Sequence, residues 1–458
     1  MTAWIPLASA IAEILLFPLA AAIAFRGLRR SALQPRQKML LAGAMVFSVL
    51  AKIGLASVGH NWDLESYALV SNLVQHGLSV YANTDRYNYG PIWAWAVAGF
   101  GHLAGPGRGE GFHVWIAAFL AMVDVLIGLA IARAYSWMAA LVFLLSPVGL
   151  LISGFHSQFD NLALLLGLAA WLPIRAGNPK PATCLVSAVC LGLSLVVKHV
   201  LFLFPVWLVF WKPLGRLRYR LLYALVAYGL FAGGFLPWWG DPASRAGIMT
   251  NVFGYTSTLT SSWVGHCMQL VLSAETIVRW APALKMLWMG LMLAAGAVLA
   301  SRGARELYLL YLMALYASSP ALTNQYGAIP MLAAAVYYCA AESWAFVASA
   351  TAAYLASPTN IGYILLLDWA VPPVVIAGRA YVATEFMEEF YPFFLVATQF
   401  CVAALLARQW REMRHPPVVT PKRDRMWQAA ALIAMGGIPV FLPAALRFVP
   451  LLVRRVTG

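Results

Sequence analysis

Charge is what this chain has least of. Of its 458 residues only 10% are charged, against 62% hydrophobic, and the mean hydropathy is +0.76. A soluble domain carries roughly 25% charged residues, so a soluble enzyme and a disordered chain are both excluded. Acids are the scarcer sign: 17 Asp and Glu stand against 31 Lys and Arg, a net charge of +14. Cysteine is nearly absent. The five cysteines (Cys184, Cys190, Cys267, Cys339 and Cys401) are scattered, without a CxxC pair or metal-ligand spacing. That argues against a disulfide framework and a zinc site. The sequence has no Gly-rich nucleotide loop, no low-complexity segment and no clear internal repeat of the kind secondary transporters carry.

What remains is apolar runs of membrane-span length with short basic clusters between them. The positive charge is therefore not a nucleic-acid-binding surface. The clearest basic loops are 26–38, 212–220 and 408–425; smaller ones hold Arg133, Arg175 with Lys180, and Arg302 with Arg305. The positive-inside rule makes these cytoplasmic. The first apolar run is broken by Glu13 and lacks a leading basic cluster. It reads as a retained span over 3–25 rather than a cleaved signal peptide.

Further spans are expected at 39–58, 113–132, 137–153, 160–174, 182–198, 199–211, 221–237, 284–300, 306–318 and 327–341. Segments 344–357 and 362–377 read as spans or re-entrant pieces, and 390–407 and 427–446 as spans. The expected fold is all-α and integral to the membrane: one polytopic domain over 1–458 with about 13 transmembrane helices. Two large loops face outward, 59–112 and 238–283. The first should hold a helix over Leu64–Gly77 and another over Pro91–Phe100, lying in the interface. Trp93 and Trp95 there read as an ordinary aromatic belt.

Scarce acids that follow a span draw attention. Asp63 and Glu65 sit directly after the second span, at the start of a helix. A carboxylate at the membrane surface can act as general base for an acceptor hydroxyl attacking a sugar carbon. Asp63 equally suits a helix N-cap. His156, Gln158 and Asp160 lie between two spans, where polar side chains need partners or a cavity. Asp160 or Ser157 would alternatively cap the next helix. Lys198 and His199 interrupt a long apolar run. Such a pair could hold a phosphate, or the lysine could snorkel to the interface. In the second loop, Arg245 or Arg279 could reach a phosphate. The Ser/Thr-rich stretch from Tyr255 to Trp263 suits a mobile loop over a site. Lys52 and Asp124 should pair between neighbouring helices, whereas Glu13 has no obvious partner. Asp63 and Glu65 could bind Mg²⁺ or Mn²⁺ through oxygen, although the residues require no metal or other cofactor.

The order WDLESY…GLSVYANTDRYNYGPIW resembles the first lumenal loop of the GT-C glycosyltransferases, which use polyprenyl-phosphate-linked sugars. It looks closest to the dolichyl-phosphate-glucose glucosyltransferases of N-glycan assembly, and to the GPI and bacterial polyprenyl-phosphate-mannose mannosyltransferases. The stretch from His156 to Phe159 resembles their His-x-Gln-aromatic motif, and Lys198 with His199 their Lys-His or Lys-Gln segment. Where the eukaryotic glucosyltransferases carry His-Glu-Lys, this chain has Asn324, Gln325 and Tyr326.

The resemblance implies a GT-C-type bundle and an inverting hexosyltransferase. It would move mannose or glucose from a polyprenyl-phosphate donor to a lipid-linked or envelope glycan acceptor, with membrane lipid as surroundings. Asp63 would be the base, with Glu65 the second acid. Lys198, His199 and Arg245 would bind the donor phosphate. His156, Gln158, Asp160, Tyr87, Tyr89, Gln325 and Tyr326 would contact sugar or acceptor. The Arg-rich, Ala-rich composition suggests a bacterial inner membrane, with the site facing the periplasm or exterior. The competing classes are a flippase of a polyprenyl-linked glycan and a glycan ligase or polymerase.

Overall fold

The computed structural model describes residues 4–105, 109–254, 263–320, 322–357, 360–361, 374–376, 379–381 and 383–414. The described residues are predominantly helical. The first helices are α1 (Trp4–Arg30), α2 (Pro35–Ala56), α3 (Trp62–Gln75), α4 (Val80–Asn83), α5 (Pro91–Ala104) and α6 (Gly109–Ala134). A broken pair follows, α7 (Trp137–Leu145) and α8 (Pro147–Leu150), continued by a π-turn over Leu151–Phe155. Next come α9 (Asp160–Trp171), α10 (Pro181–Val197), α11 (Phe204–Phe210), α12 (Leu217–Gly233), α13 (Leu236–Trp239) and α14 (Pro242–Gly247). The remainder is α15 (Trp263–Gln269), α16 (Ala274–Ser301), α17 (Leu307–Ser318), α18 (Ala328–Val336), α19 (Ala341–Leu355) and α20 (Ala383–Arg414). Two small antiparallel ribbons pair β1 (His60–Asn61) with β2 (Asn360–Ile361), and β3 (Val374–Ile376) with β4 (Arg379–Tyr381).

Among the described residues, five helices are long and apolar enough to cross a membrane, or six if the bent pair from Trp137 to Phe155 counts as one. Their faces agree with lipid contact: Leu15, Leu19 and Phe25 of α1, and Leu287 and Leu291 of α16, are exposed apolar side chains. The expected span over 137–153 is not straight. It bends by 51° at the break, where Pro147 opens a new helix because proline cannot continue the old one. Other expected spans form shorter apolar helices, α9, α10, α17 and the piece His199–Phe210. The helix expected from 284 begins ten residues earlier, capped by Ser273, whose hydroxyl accepts the Thr276 amide. The expected 427–446 span lies outside the described residues.

The helices of the loop over 59–112 are also placed differently. α5 packs against α1, α3 and α6, with Trp93, Val97 and Phe100 wholly buried. It is a core helix rather than an interfacial one. Trp93 is not part of a belt: it stacks on Phe159 at 4.1 Å and 11°. Trp95 stacks on Trp238 at 5.8 Å.

The turns sort to two ends. At one, Arg175 donates to the Ala134 carbonyl, Tyr135 to Glu306, and Arg408 to Glu342, while Arg302 stacks over Trp410. These are the basic loops. At the other end meet the start of α3, the turn before α9, the end of α10 and the turn before α18.

Candidate active site

The site forms at the non-basic end, on the first turn of α3. The N-cap of that helix is Asn61, not Asp63: the Asn61 side chain accepts the Asp63 amide at 3.1 Å. Asn61 is itself clamped, donating to Asn360 Oδ1 at 2.7 Å across the β1–β2 ribbon. This frees the Asp63 side chain from capping. Its Oδ2 accepts from His156 Nε2 at 3.0 Å and from Gln158 Nε2. A carboxylate only accepts, so His156 carries its proton on Nε2. His156 Nδ1 is buried without a partner.

The polarity of the cluster can be followed atom by atom. Lys198 Nζ donates to Asp160 Oδ2 at 2.7 Å and to Gln158 Oε1 at 3.0 Å. That fixes the Gln158 amide, whose NH₂ must then face Asp63 and Gln325 Oε1, the latter at 3.1 Å. Lys198 and Asp160 are 4% and 0% exposed, so the lysine is a buried ion-pair member and does not snorkel. Asp160 caps nothing either; Phe159 occupies the N-cap of α9 without a side-chain bond. Rings surround the ammonium: Tyr89, Phe159 and Tyr326 lie at 5.0, 4.9 and 5.9 Å.

Burial alone would raise the Asp63 pKa. The His156 hydrogen bond, with the charges of His156 and Lys198 and the Gln158 bond, outweighs it and holds the carboxyl below its ordinary value. Asp63 therefore stands ionised at neutral pH. Among the described residues no hydrogen bond reaches Oδ1, and the side chain keeps 27% exposure.

The local backbone explains how two neighbours reach one carboxylate. Between His156 and Gln158, Ser157 adopts φ 59°, a conformation rare for a non-glycine residue. The preceding π-turn is held from below. His113 Nε2 bonds the Gly154 carbonyl at 3.1 Å. Gly154 lies against the Lys52 backbone, where a Cβ would collide. Lys52 pairs with Asp124 at 2.7 Å, as expected. Asn161, at the start of α9, donates to Asp124 Oδ1 at 3.0 Å and to Ser153 Oγ at 3.4 Å. Gly90 similarly leaves no room for a Cβ against the Val196 carbonyl, which docks Tyr89 beside Lys198. Glu13 finds Ser9 at 3.2 Å within its own helix and is buried against Gly99.

Several expected residues lie elsewhere. Glu65 is exposed and among the described residues pairs with His60, at 3.8 Å, so the two acids of the motif have separate partners. Arg245 and Arg279 are exposed, and among the described residues neither shares a hydrogen bond or ion pair with the cluster. Tyr87 is buried and donates to the Gly90 carbonyl at 2.5 Å; it supports the Tyr89 ring edge-on at 5.6 Å. The expected mobile stretch after Tyr255 lies outside the described residues over 255–262.

A cavity of about 300 Å³ adjoins the cluster, within the range of small-molecule sites. Its polar lining includes Asn88, Tyr89, Lys198, His199, Lys285 and Tyr326; most of the rest is apolar, including Phe202, Phe231, Trp288 and Leu315. His199 Nδ1 is buried without a partner. Sequence reasoning passed over Lys285. Its signal was periodicity: Ala281, Leu284, Lys285, Trp288 and Met289 share one stripe of α16 and all line the cavity.

No family model, no curated protein and no solved structure matches the chain. Its function is therefore argued from the geometry of the site.

Proposed function

We propose that this protein is a GT-C-type, inverting hexosyltransferase that uses a polyprenyl-phosphate-linked mannose or glucose. The observation that carries the reading is the Asp63 carboxylate, held ionised with Oδ1 unengaged, beside an apolar cavity with cationic residues in its wall. The acceptor hydroxyl attacks the anomeric carbon. Asp63 Oδ1 takes the hydroxyl proton. The bond from the anomeric carbon to the phosphate oxygen breaks, and its electron pair leaves with the polyprenyl phosphate. Attack opposite the leaving group inverts the anomeric centre.

His199 and Lys285 are assigned to the departing phosphate. Lys198 is already matched by Asp160, so it supplies less net charge than its position alone implies. The apolar lining takes the proximal part of the prenyl chain. Gln158 and Gln325 orient the base, with His156. On this reading the short and bent helices complete about 13 spans, since short pieces are tolerated where they line a protein cavity. The site faces the periplasm or exterior of a bacterial inner membrane, opposite the basic loops. The acceptor is a lipid-linked or envelope glycan.

A flippase would need charged groups along a path through the bilayer. The pair deeper in the bundle, Lys52 with Asp124, is 1% and 3% exposed, which leaves it no open path. The test is direct: protein purified into nanodiscs is given labelled polyprenyl-phosphate hexose and an acceptor lipid extract. Transfer with inversion supports the reading; vesicle translocation of the intact donor without cleavage rejects it.

A further inference from the structure

One side chain pair near the base has no part in the reaction above. Trp62, the residue before Asp63, is 52% exposed. The Arg86 guanidinium lies over its ring, 4.7 Å from the centroid. Arg86 comes from the turn after α4, a separate part of the first outward loop, and its amide is fixed by Thr84 Oγ1 at 3.1 Å. The Thr84 carbonyl in turn accepts from Asn251 of the second loop at 3.5 Å. The indole is thus positioned by a cation anchored elsewhere, which an aromatic merely floating among headgroups does not need.

A second observation points to a ligand. Among the described residues, Arg86 Nη2 is buried and has no hydrogen-bond partner. Buried guanidinium N–H groups are costly to leave unmade. Here an unpartnered guanidinium N–H and an exposed aromatic ring are held together on the residue before the base. That combination suits a pyranose, whose C–H face packs on an aromatic ring while its hydroxyls accept from fixed donors.

We infer that Trp62 and Arg86 form the acceptor subsite, a platform that stacks the acceptor's pyranose ring and presents its hydroxyl to Asp63. The inference rests on the hexosyltransferase reading and extends it to the acceptor. The donor occupies the Lys198–Lys285 cavity, so the two substrates meet at the base from different sides. Water needs no platform. Slow hydrolysis of the donor should therefore be independent of Trp62 and Arg86, whereas sugar transfer should depend on both.

The experiment uses full-length protein in nanodiscs, labelled polyprenyl-phosphate hexose as donor and octyl pyranosides as acceptor probes. Trp62→Ala and Arg86→Gln should each raise the acceptor KM tenfold or more. The donor KM and the rate of donor hydrolysis should stay within twofold of wild type. Trp62→Phe should recover most of the acceptor affinity. An unchanged acceptor KM in Trp62→Ala overturns the platform while leaving the glycosyltransferase reading intact. Parallel loss of hydrolysis and transfer overturns it as well, by showing a structural role. Failure of the wild type to cleave the donor overturns the parent reading and the platform with it.

Discussion

His156 Nε2 lies 3.0 Å from Asp63 Oδ2, although 93 residues separate them in the chain. The contact joins the first turn of α3 to the strained turn before α9. It makes the ionisation of Asp63 depend on a second segment.

The first prediction concerns pH. Asp63 has a folded pKa below its ordinary 3.8. A depressed carboxyl stabilises the fold fully above the ordinary value, and the contribution is lost as pH falls through the folded value. Activity should likewise fall only on the acid side of that range. His156→Ala removes the largest stabilising partner and leaves the desolvation. Its acid limb should shift to higher pH, read from kcat against pH. An unmoved limb would separate His156 from the base.

The buried pair makes a stability prediction. Lys198→Met leaves Asp160 uncompensated at 0% exposure. Breaking a buried pair from one side typically costs about 3–5 kcal/mol. The double variant Lys198→Met with Asp160→Leu should regain much of that in thermal unfolding. It should not regain transfer, because Gln158 loses the donor that sets its amide.

Gly154→Ala tests the support beneath the site. A Cβ there meets the Lys52 backbone, and overpacking costs about 1–3 kcal/mol. The displaced π-turn carries His156 and Gln158. The expected result is a lower kcat with little change in either KM, measured alongside the unfolding temperature. Retained kcat would show that the turn tolerates the shift.

Much of this site was legible in the sequence because polar residues in apolar runs have few places to go. Asp63, His156, Gln158 and Lys198 stood out for that reason, and the structure brings them together. Lys52 and Asp124 were legible on the same logic. The capping of α3 was not, because Asn61 is fixed by Asn360, a partner 299 residues away. The stacking of Trp93 on Phe159 was hidden in the same way: an aromatic in a loop reads as belt until its partner is known. Lys285 was passed over: it falls at the edge of the expected span over 284–300, whereas α16 starts at Ala274. The bend at Pro147 was signalled by the proline itself. Arg245 was a plausible phosphate ligand by charge alone, but α14 turns it to solvent.

Sidedness can be checked with thiols. Asn83 is exposed at the end of α4, and Asn83→Cys should react with an impermeant reagent added from outside. Cys267 is the exposed native cysteine, so the variant needs a Cys267→Ser background. Labelling only from the cytoplasmic side would reverse the orientation.

The most direct test of the central claim is hexose transfer by Asp63→Asn in nanodiscs. Asparagine keeps the side-chain shape and can still bond its neighbours, but it cannot take a proton. A general base contributes about 10²–10⁴-fold. The account predicts a loss of that size from polyprenyl-phosphate hexose, with the unfolding temperature near wild type. Full transfer by a folded Asp63→Asn protein would contradict it.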